Sequence, residues 1–238
     1  MQVPDVWDRP ASLREQRSLR VASYLSVGYG RHMREPRNTH EEGVEATMPD
    51  QLVEEGQRRR LLEALVVVTT EVGYPAATPE LICARARVPL DRFQSLYGRK
   101  YVLFAAAYDT AARRQLARME AAVDVPGDGH YRLQSGIDAL LGWCEVEPRA
   151  ARLCIVEVLA AGAVARRQRE STMRALALSL EPPLAELRPT QRLARLGARA
   201  IVGAAHELMY EALECGSTVR LAQLGRELAA IQGTAVAA

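Results

Sequence analysis

The sequence predicts an all-α protein in which a small N-terminal helical unit is joined by one long helix to a larger helical domain. Two short amphipathic segments flank a proline-containing turn within residues 78–97, and a long helical pattern follows from Lys100 to Val123. Every later segment also has helical periodicity. The 238 residues, 48% hydrophobic and 25% charged, suit one small and one medium globular domain. We divide the chain into an N-terminal extension (1–50), a helix-turn-helix unit (51–100) and a C-terminal helical domain (101–238).

The composition favours a cytoplasmic protein without general affinity for polyanions. The formal net charge is only +2, so any nucleic-acid binding must depend on a local patch. The first residues lack the apolar region of a secretory signal, and no apolar run is long enough to span a bilayer, so we predict no membrane partner. The cysteines lie far apart without a C-x-x-C pair, which favours reduced, mostly buried thiols over a redox sensor. They are Cys83, Cys144, Cys154 and Cys215.

The N-terminal extension has the pattern of one short helix and a polar linker. Ser12 and Glu15 form a capping box, which predicts a helix over about 13–27. A polar, glycine-containing run continues to about Met48. Two interpretations of its arginines stay open: a basic arm that contacts DNA, and a solvated appendage, which charge runs more often are. These are Arg9, Arg14, Arg17, Arg20, Arg31, Arg34 and Arg37.

The next helix is predicted from Leu52 to Val72, with Gly73 placed to end it. Three consecutive arginines near its start, at positions 58–60, approach DNA phosphates or form a solvated turn, and the pattern does not separate the two. Its predicted buried stripe is Leu61, Leu62, Leu65, Val68 and Val72.

Thr78–Lys100 is the segment around which the rest is organised. Thr78 is a good N-cap, and Pro79 suits the first helical position because its missing N–H costs nothing there. Val88 precedes Pro89 and therefore avoids helical angles, which predicts a tight turn. The apolar face of the helix before this turn is predicted to be Leu81, Ile82 and Ala86.

After the turn, LDRFQSLY has apolar residues near helical spacing and leaves short polar side chains outward. A DNA-reading helix-turn-helix requires this arrangement, and an ordinary helical hairpin is the alternative. The apolar residues are Leu90, Phe93 and Tyr97, and the outward ones are Asp91, Arg92, Gln94 and Ser95.

Residues 56–110 resemble the tetracycline-repressor (TetR) family of transcriptional regulators. That family shows a Gly-aromatic pair, a Thr with an Ile four residues on, an Ala-Gly-Val-Ser turn, an aromatic-containing recognition helix and a Lys that opens the fourth helix. The text EPRAARLCIVEVLAAG further resembles the ligand-binding domain of a large actinobacterial group of these proteins. The matching positions are Gly73, Tyr74, Thr78, Ile82, Ala86, Val88, Phe93, Tyr97, Lys100 and Leu103.

Three positions depart from the family pattern. Arg87 replaces the turn glycine, Pro89 replaces the serine cap, and Gln94 replaces a tyrosine often found in the recognition helix. If the turn still needs a positive φ, Arg87 carries about 1 kcal/mol of strain.

The resemblance implies a homodimeric repressor that a small-molecule effector releases from a double-stranded DNA operator. It also implies that the last two helices form the dimer, although packing within one subunit remains the alternative for their small-residue seam. The residues implied or predicted to contact DNA are Thr78, Leu90, Asp91, Arg92, Gln94, Ser95, Arg99 and Lys100.

Beyond Gly129 the pattern predicts five helices, which would hold the effector pocket that the resemblance implies. We place breaks at 147–148, 162, 182–183, 189 and 216. The helices are Tyr131–Val146, Pro148–Ala161, Ala163–Leu180, Thr190–Cys215 and Thr218–Ile231. Candidate pocket residues, each of which also suits an ordinary core or surface position, are Tyr108, Met119, Trp143, Glu157, Met173 and Tyr210.

Catalytic constellations are not found in the sequence. His206-Glu207 begins the zincin pattern H-E-x-x-H, but Tyr210 stands where the second histidine must be. We therefore predict no metal, no cofactor and no enzymatic activity. Two rival classes stay open: a helical ligand-binding protein with a degenerate DNA-binding turn, which Arg87, Pro89 and Asp91 favour, and an enzyme with an interior pocket, which the missing constellations disfavour.

Overall fold

A computed structural model describes residues 48–216 and 221–234, and within them the protein is helical with no strand. This confirms the all-α class. The helix predicted over 13–27 and the seven N-terminal arginines lie outside the described residues. The elements are α1 (Met48–Val72), α2 (Pro79–Ala86), α3 (Leu90–Leu96), α4 (Lys100–Val123), α5 (Gly129–Leu141), α6 (Trp143–Val146), α7 (Pro148–Ile155), a 3-10 turn (Glu157–Leu159), α8 (Ala163–Leu187), α9 (Gln191–Cys215) and α10 (Leu221–Thr234).

α1, α2 and α3 form the N-terminal unit, as predicted, around a core of aliphatic side chains and one phenylalanine. The Thr78 hydroxyl accepts the N–H of Leu81 at 3.3 Å and caps α2, while Pro79 occupies its first turn. Two apolar assignments were wrong, because Val72 and Leu81 are exposed. The core side chains are Leu61, Leu65, Ile82, Val88 and Phe93.

α4 has the predicted bounds and connects the two parts of the molecule. It packs against α1 of the N-terminal unit and against α5 and α8 of the C-terminal part. Phe104 near its start meets Tyr74 edge to face, with ring centroids 5.0 Å apart. One continuous apolar core results, and the division of the chain at residues 50 and 100 stays a prediction.

The C-terminal helices surround α8, which packs against α4, α5 and α9. Gly142 splits the helix predicted over 131–146. The helix predicted to reach Ala161 ends at Ile155, and a 3-10 turn at Glu157–Leu159 follows it. The last helix is described over Leu221–Thr234, and Thr218, its predicted start, lies outside the described residues.

The break predicted at Pro182-Pro183 was wrong, because α8 continues through both prolines to Leu187. Proline fixes φ near the helical value, but inside a helix it removes an N–H donor and its ring crowds the preceding turn, which costs about 3 kcal/mol or more. Pro183 is buried, and the N-terminus of α5 packs against it so closely that a Cβ on Gly129 would lie 2.8 Å from the Pro183 carbonyl oxygen. Tertiary packing therefore holds the helix together where local sequence predicts an end.

Candidate functional site

The residues predicted to contact DNA lie at the outer surface of the N-terminal unit, at α3 and at the starts of α2 and α4. α3 buries Phe93 on one side and presents short polar side chains on the other. Exposed among the predicted residues are Thr78, Leu90, Asp91, Gln94, Ser95 and Arg99, whereas Arg92 and Lys100 are partly buried.

The turn before α3 keeps the geometry that the family pattern requires. Arg87 adopts φ 52° and ψ 46°, the left-handed region in which a side chain is strained, and it is the one non-glycine residue with positive φ among those described. Its N–H donates to the Ala84 carbonyl at 3.3 Å. Pro89 stands at the N-cap of α3 and offers no side-chain hydrogen bond.

Two residues of α1 fix the position of α3. The Arg58 guanidinium pairs with Glu54 at 2.8 Å, donates to the Leu96 carbonyl at 3.4 Å and lies 5.6 Å from the centre of the Tyr97 ring. Gln57 accepts a hydrogen bond from Arg92 Nε at 3.3 Å. The sequence predicted phosphates or solvent as the partners of Arg58 and missed its contact with the reading helix, because that contact spans 38 residues.

Lys100 makes its contacts inside the protein. Its Nζ donates to the Tyr74 carbonyl at 2.7 Å and approaches the Pro75 carbonyl at 3.5 Å. Desolvation lowers the pKa of the ammonium. The predicted phosphate contact is not tested, but the side chain also anchors the loop between α1 and α2 to the start of α4.

Four of the six predicted effector-pocket residues are buried in the C-terminal core. The Tyr108 hydroxyl bonds to Thr172, and burial raises its pKa above the usual tyrosine value. Trp143 Nε1–H and the amide nitrogen of Gln115 are buried donors without an acceptor in the described part of the chain. Buried are Tyr108, Met119, Trp143 and Glu157; partly buried are Met173 and Tyr210.

The carboxylate of Glu157 is bound by two groups of the protein. One carboxylate oxygen accepts the backbone N–H of Tyr74 at 2.8 Å, and the other pairs with Arg152 at 3.4 Å. Both oxygens therefore have partners, which makes Glu157 a contact between the two parts of the molecule, and its predicted place in an effector pocket stays a prediction.

His206 is a buried, neutral histidine. Its Nδ1 donates to the Val202 carbonyl at 3.0 Å, and burial, with the nearby Arg169 charge, lowers its pKa to about 4. Within residues 48–216 and 221–234 no three His, Cys, Asp or Glu side chains are grouped to bind a metal ion.

The thiols and the hydropathy of the helices bear on two further predictions. Three of the four cysteines are buried and free, as expected, and Cys215 is exposed. Burial raises the pKa of Cys144 to about 12, so that thiol is unreactive near neutral pH. No helix in the described ranges combines the length and apolar character needed to cross a membrane.

The fold matches solved transcriptional regulators, although no family model and no curated protein matches the sequence. FadR from Bacillus subtilis, solved in complex with stearoyl-CoA, aligns with a TM-score of 0.65 at 15% identity and covers 74% of this chain and 97% of that chain. A regulator from Pseudomonas aeruginosa PAO1 aligns at 0.61 and 23% identity, covering 76% and 92%. A TetR-like regulator from Rhodococcus sp. RHA1 aligns at 0.56 and 21% identity, covering 73% and 93%. The protein thus has the fold of TetR-type transcriptional regulators, which confirms the fold that the sequence resemblance implied.

Proposed function

We propose that the protein is a DNA-binding transcriptional regulator, a repressor that a small-molecule effector releases from its operator. The observation that carries this is α3, whose polar outer face is exposed while Phe93 and Arg58 hold it against α1. A short helix held in this way, with arginine and amide side chains on its rim, suits the major groove of DNA. No catalytic reaction is part of the proposal.

Gel-shift with DNA from upstream of the protein's own gene tests DNA binding directly. We expect a retarded complex that survives a large excess of unrelated DNA. Because phosphate contacts dominate affinity, the titration should be repeated at several salt concentrations. Equal affinity for operator and unrelated DNA at every salt concentration would contradict a regulator and favour a helical protein without an operator.

The proposed regulator is a two-fold dimer through α9 and α10, which brings two α3 helices together for binding to DNA. One face of α9 exposes leucines and small residues at helical spacing: Leu193 is 44% exposed, Leu196 is 61% exposed, and Ala200 and Gly203 continue the stripe. A Cβ on Gly203 would meet nothing within 4 Å in the protomer, so that face is open. A dimer of this kind places two α3 helices about 34–36 Å apart, one turn of DNA.

The effector is expected to act within the C-terminal helices, where the buried donors of Trp143 and Gln115 have no acceptor among the described residues. FadR, which shares the fold, was solved with an acyl-CoA, and the effector of the present protein is a separate question. In the proposed mechanism, the ligand moves α4 and so changes the spacing of the two reading helices. A shift of about 1–3 kcal/mol suffices to release the operator.

Thermal unfolding and gel-shift in parallel test this mechanism. A metabolite that raises the melting temperature is expected to weaken the operator complex as well. A saturating ligand that raises the melting temperature and leaves operator affinity unchanged would contradict release through α4. Mass-detected turnover of the same metabolite would favour an enzyme instead.

A further inference from the structure

A buried carboxylate lies between the N-terminal unit and the C-terminal helices. Glu157 is only 6% exposed, in the 3-10 turn after α7. A buried charge is costly unless both its oxygens are paired. One oxygen accepts the N–H of Tyr74, which is 83 residues away in the loop of the N-terminal unit, and the other pairs with Arg152.

Arg152 uses its three guanidinium nitrogens on three different groups. Nε lies 3.4 Å from Glu157, Nη1 donates to the Leu213 carbonyl at 3.1 Å, and Nη2 lies 3.1 Å from a carboxylate oxygen of Glu214. Leu213 and Glu214 belong to the last turn of α9, where unpaired helix carbonyls favour a cation. Arg152 therefore joins the end of α9 to Glu157.

The other end of this connection reaches the start of α4. The Tyr74 peptide N–H is held by Glu157, and the Tyr74 carbonyl accepts from Lys100 Nζ. The Tyr74 ring packs against Phe104 and beneath the Lys100 ammonium. A continuous chain of polar contacts thus runs from the first residue of α4, through Tyr74, Glu157 and Arg152, to the last turn of α9.

We propose that Arg152 and Glu157 are positioning residues that hold the helix-turn-helix unit in one orientation relative to the C-terminal end of α9. The effect of this orientation on DNA binding rests on the proposed function. α9 belongs to the proposed dimer, so this orientation sets how both α3 helices face the two half-sites. Neither residue lies at the α3 surface, and both act on DNA binding through Tyr74.

This arrangement predicts a particular kind of defect. Loss of either side chain should loosen the orientation of the helix-turn-helix unit without removing any DNA-contacting group. Binding that needs both half-sites at one spacing then weakens, while contacts to single phosphates persist. A residue that only stabilised the fold would weaken specific and non-specific binding together.

The test uses the full chain with Glu157→Gln and Arg152→Met. Glu157→Gln keeps an acceptor for the Tyr74 N–H and removes the charge that attracts Arg152, and Arg152→Met keeps the aliphatic stem. Arg195→Met is the matched control, because Arg195 is also an α9-associated arginine, paired with Glu181 at 3.6 Å but away from the Tyr74 loop. Operator affinity should fall about tenfold in the first two variants and change less than about twofold in the control. Affinity for unrelated DNA should be unchanged in all three.

A second measurement reads the orientation without DNA. Spin labels on Ala84→Cys in α2 and on the native Cys215, both exposed, report the distance between the N-terminal unit and the end of α9. Dilution with unlabelled protein restricts the signal to one chain. We expect one narrow distance distribution in the wild-type background and in Arg195→Met, and a shifted or broadened one with Glu157→Gln or Arg152→Met.

An unchanged distance distribution in both variants would overturn the proposal, whatever happens to DNA binding. A changed distribution with full operator affinity would overturn the claim that orientation sets binding. If the wild-type protein binds no operator, the proposed function fails, and the distances still decide whether Arg152 and Glu157 fix the orientation. If Glu157→Gln does not fold, Arg152→Met is compared with Arg195→Met alone, because the Arg152 side chain is partly exposed.

Discussion

The Lys100 ammonium lies 4.2 Å from the centre of the Tyr74 ring and donates to the carbonyl of the same residue. One side chain therefore fixes the loop after α1 to the first turn of α4. A cation over an aromatic face and a charge-assisted hydrogen bond together contribute about 1–2 kcal/mol at a partly buried site. Loss of the Lys100 side chain should therefore affect both the stability of the protein and its binding to DNA.

Lys100→Ala should lower the free energy of unfolding by about 1–2 kcal/mol, measured by urea denaturation. It should also weaken binding to operator and unrelated DNA by a similar factor, because a phosphate contact carries no base information. A direct phosphate contact would further reduce the slope of log K against log salt by about one. A changed base preference in binding-site selection would contradict this role.

Arg92→Ala should relax the preference for one base pair in each half-site while leaving non-specific affinity nearly intact. Arginine pairs best with the two acceptors of guanine, and losing that contact costs about 1–3 kcal/mol of discrimination. Binding-site selection on both proteins measures it. Gln57→Ala is the matched variant: Gln57 holds Arg92 Nε, so its loss should weaken the same preference less. Unchanged selection with Arg92→Ala would mean that the arginine only contacts phosphate or Asp91.

Arg87→Gly should raise the free energy of unfolding by about 1 kcal/mol, because glycine adopts the observed positive φ without strain. Urea denaturation of the two proteins measures the difference. Ala84→Gly is the matched control in the last turns of α2, where the backbone is helical, and it should destabilise by about 1 kcal/mol. Destabilisation by both glycines would show that Arg87 is held by contacts that outweigh its strain.

Gly203→Arg should convert the proposed dimer to a monomer in sedimentation at micromolar concentration. The open space around Gly203 within the protomer means that the new side chain need not disturb the monomer's own packing. Gly56→Arg is the control, since Gly56 in α1 is equally open, and it should stay dimeric. A dimeric Gly203→Arg would place the interface on another face.

Acid should destabilise the protein partly through His206. Its folded-state pKa of about 4 lies below the ordinary value of 6.5, so the unfolded chain takes up the proton first as the pH falls. The stabilisation is present above pH 6.5 and is lost towards pH 4, by an amount on the order of 3–4 kcal/mol. His206→Asn should show a smaller loss between these two pH values in urea denaturation. An identical loss would assign the acid sensitivity to the carboxylates.

The sequence predicted those helices whose ends are set by residues at or next to the ends themselves. Thr78, Pro79 and Pro89 set the bounds of the two short helices. The start of α4 followed from the resemblance, in which a Lys opens the fourth helix, and its end from the proline and glycines of the VPGDG run at 125–129. The family pattern has a glycine where Arg87 stands, so a positive φ was expected there if the turn kept its geometry. Arg87 adopts that positive φ.

The remainder depended on contacts that are distant in sequence. α8 continues through Pro183 because α5 packs on it, and no local pattern carries that information. The contact of Glu157 with Tyr74 was missed because Tyr74 lies 83 positions earlier, and the predicted pocket role of Glu157 stays a prediction. Gln57 was likewise missed as a support for α3, because a glutamine within a helix gives no sign in the sequence of its tertiary partner.

Lys100 is the only lysine in the 238 residues, so the junction between α4 and the Tyr74 loop carries the only side-chain amine. Its lowered pKa makes a larger share of it free base than in an exposed lysine at the same pH. Reductive methylation with ¹³C-formaldehyde would therefore place one dimethylamino group at that junction. Its NMR signal would follow the loop in solution without background from any other lysine.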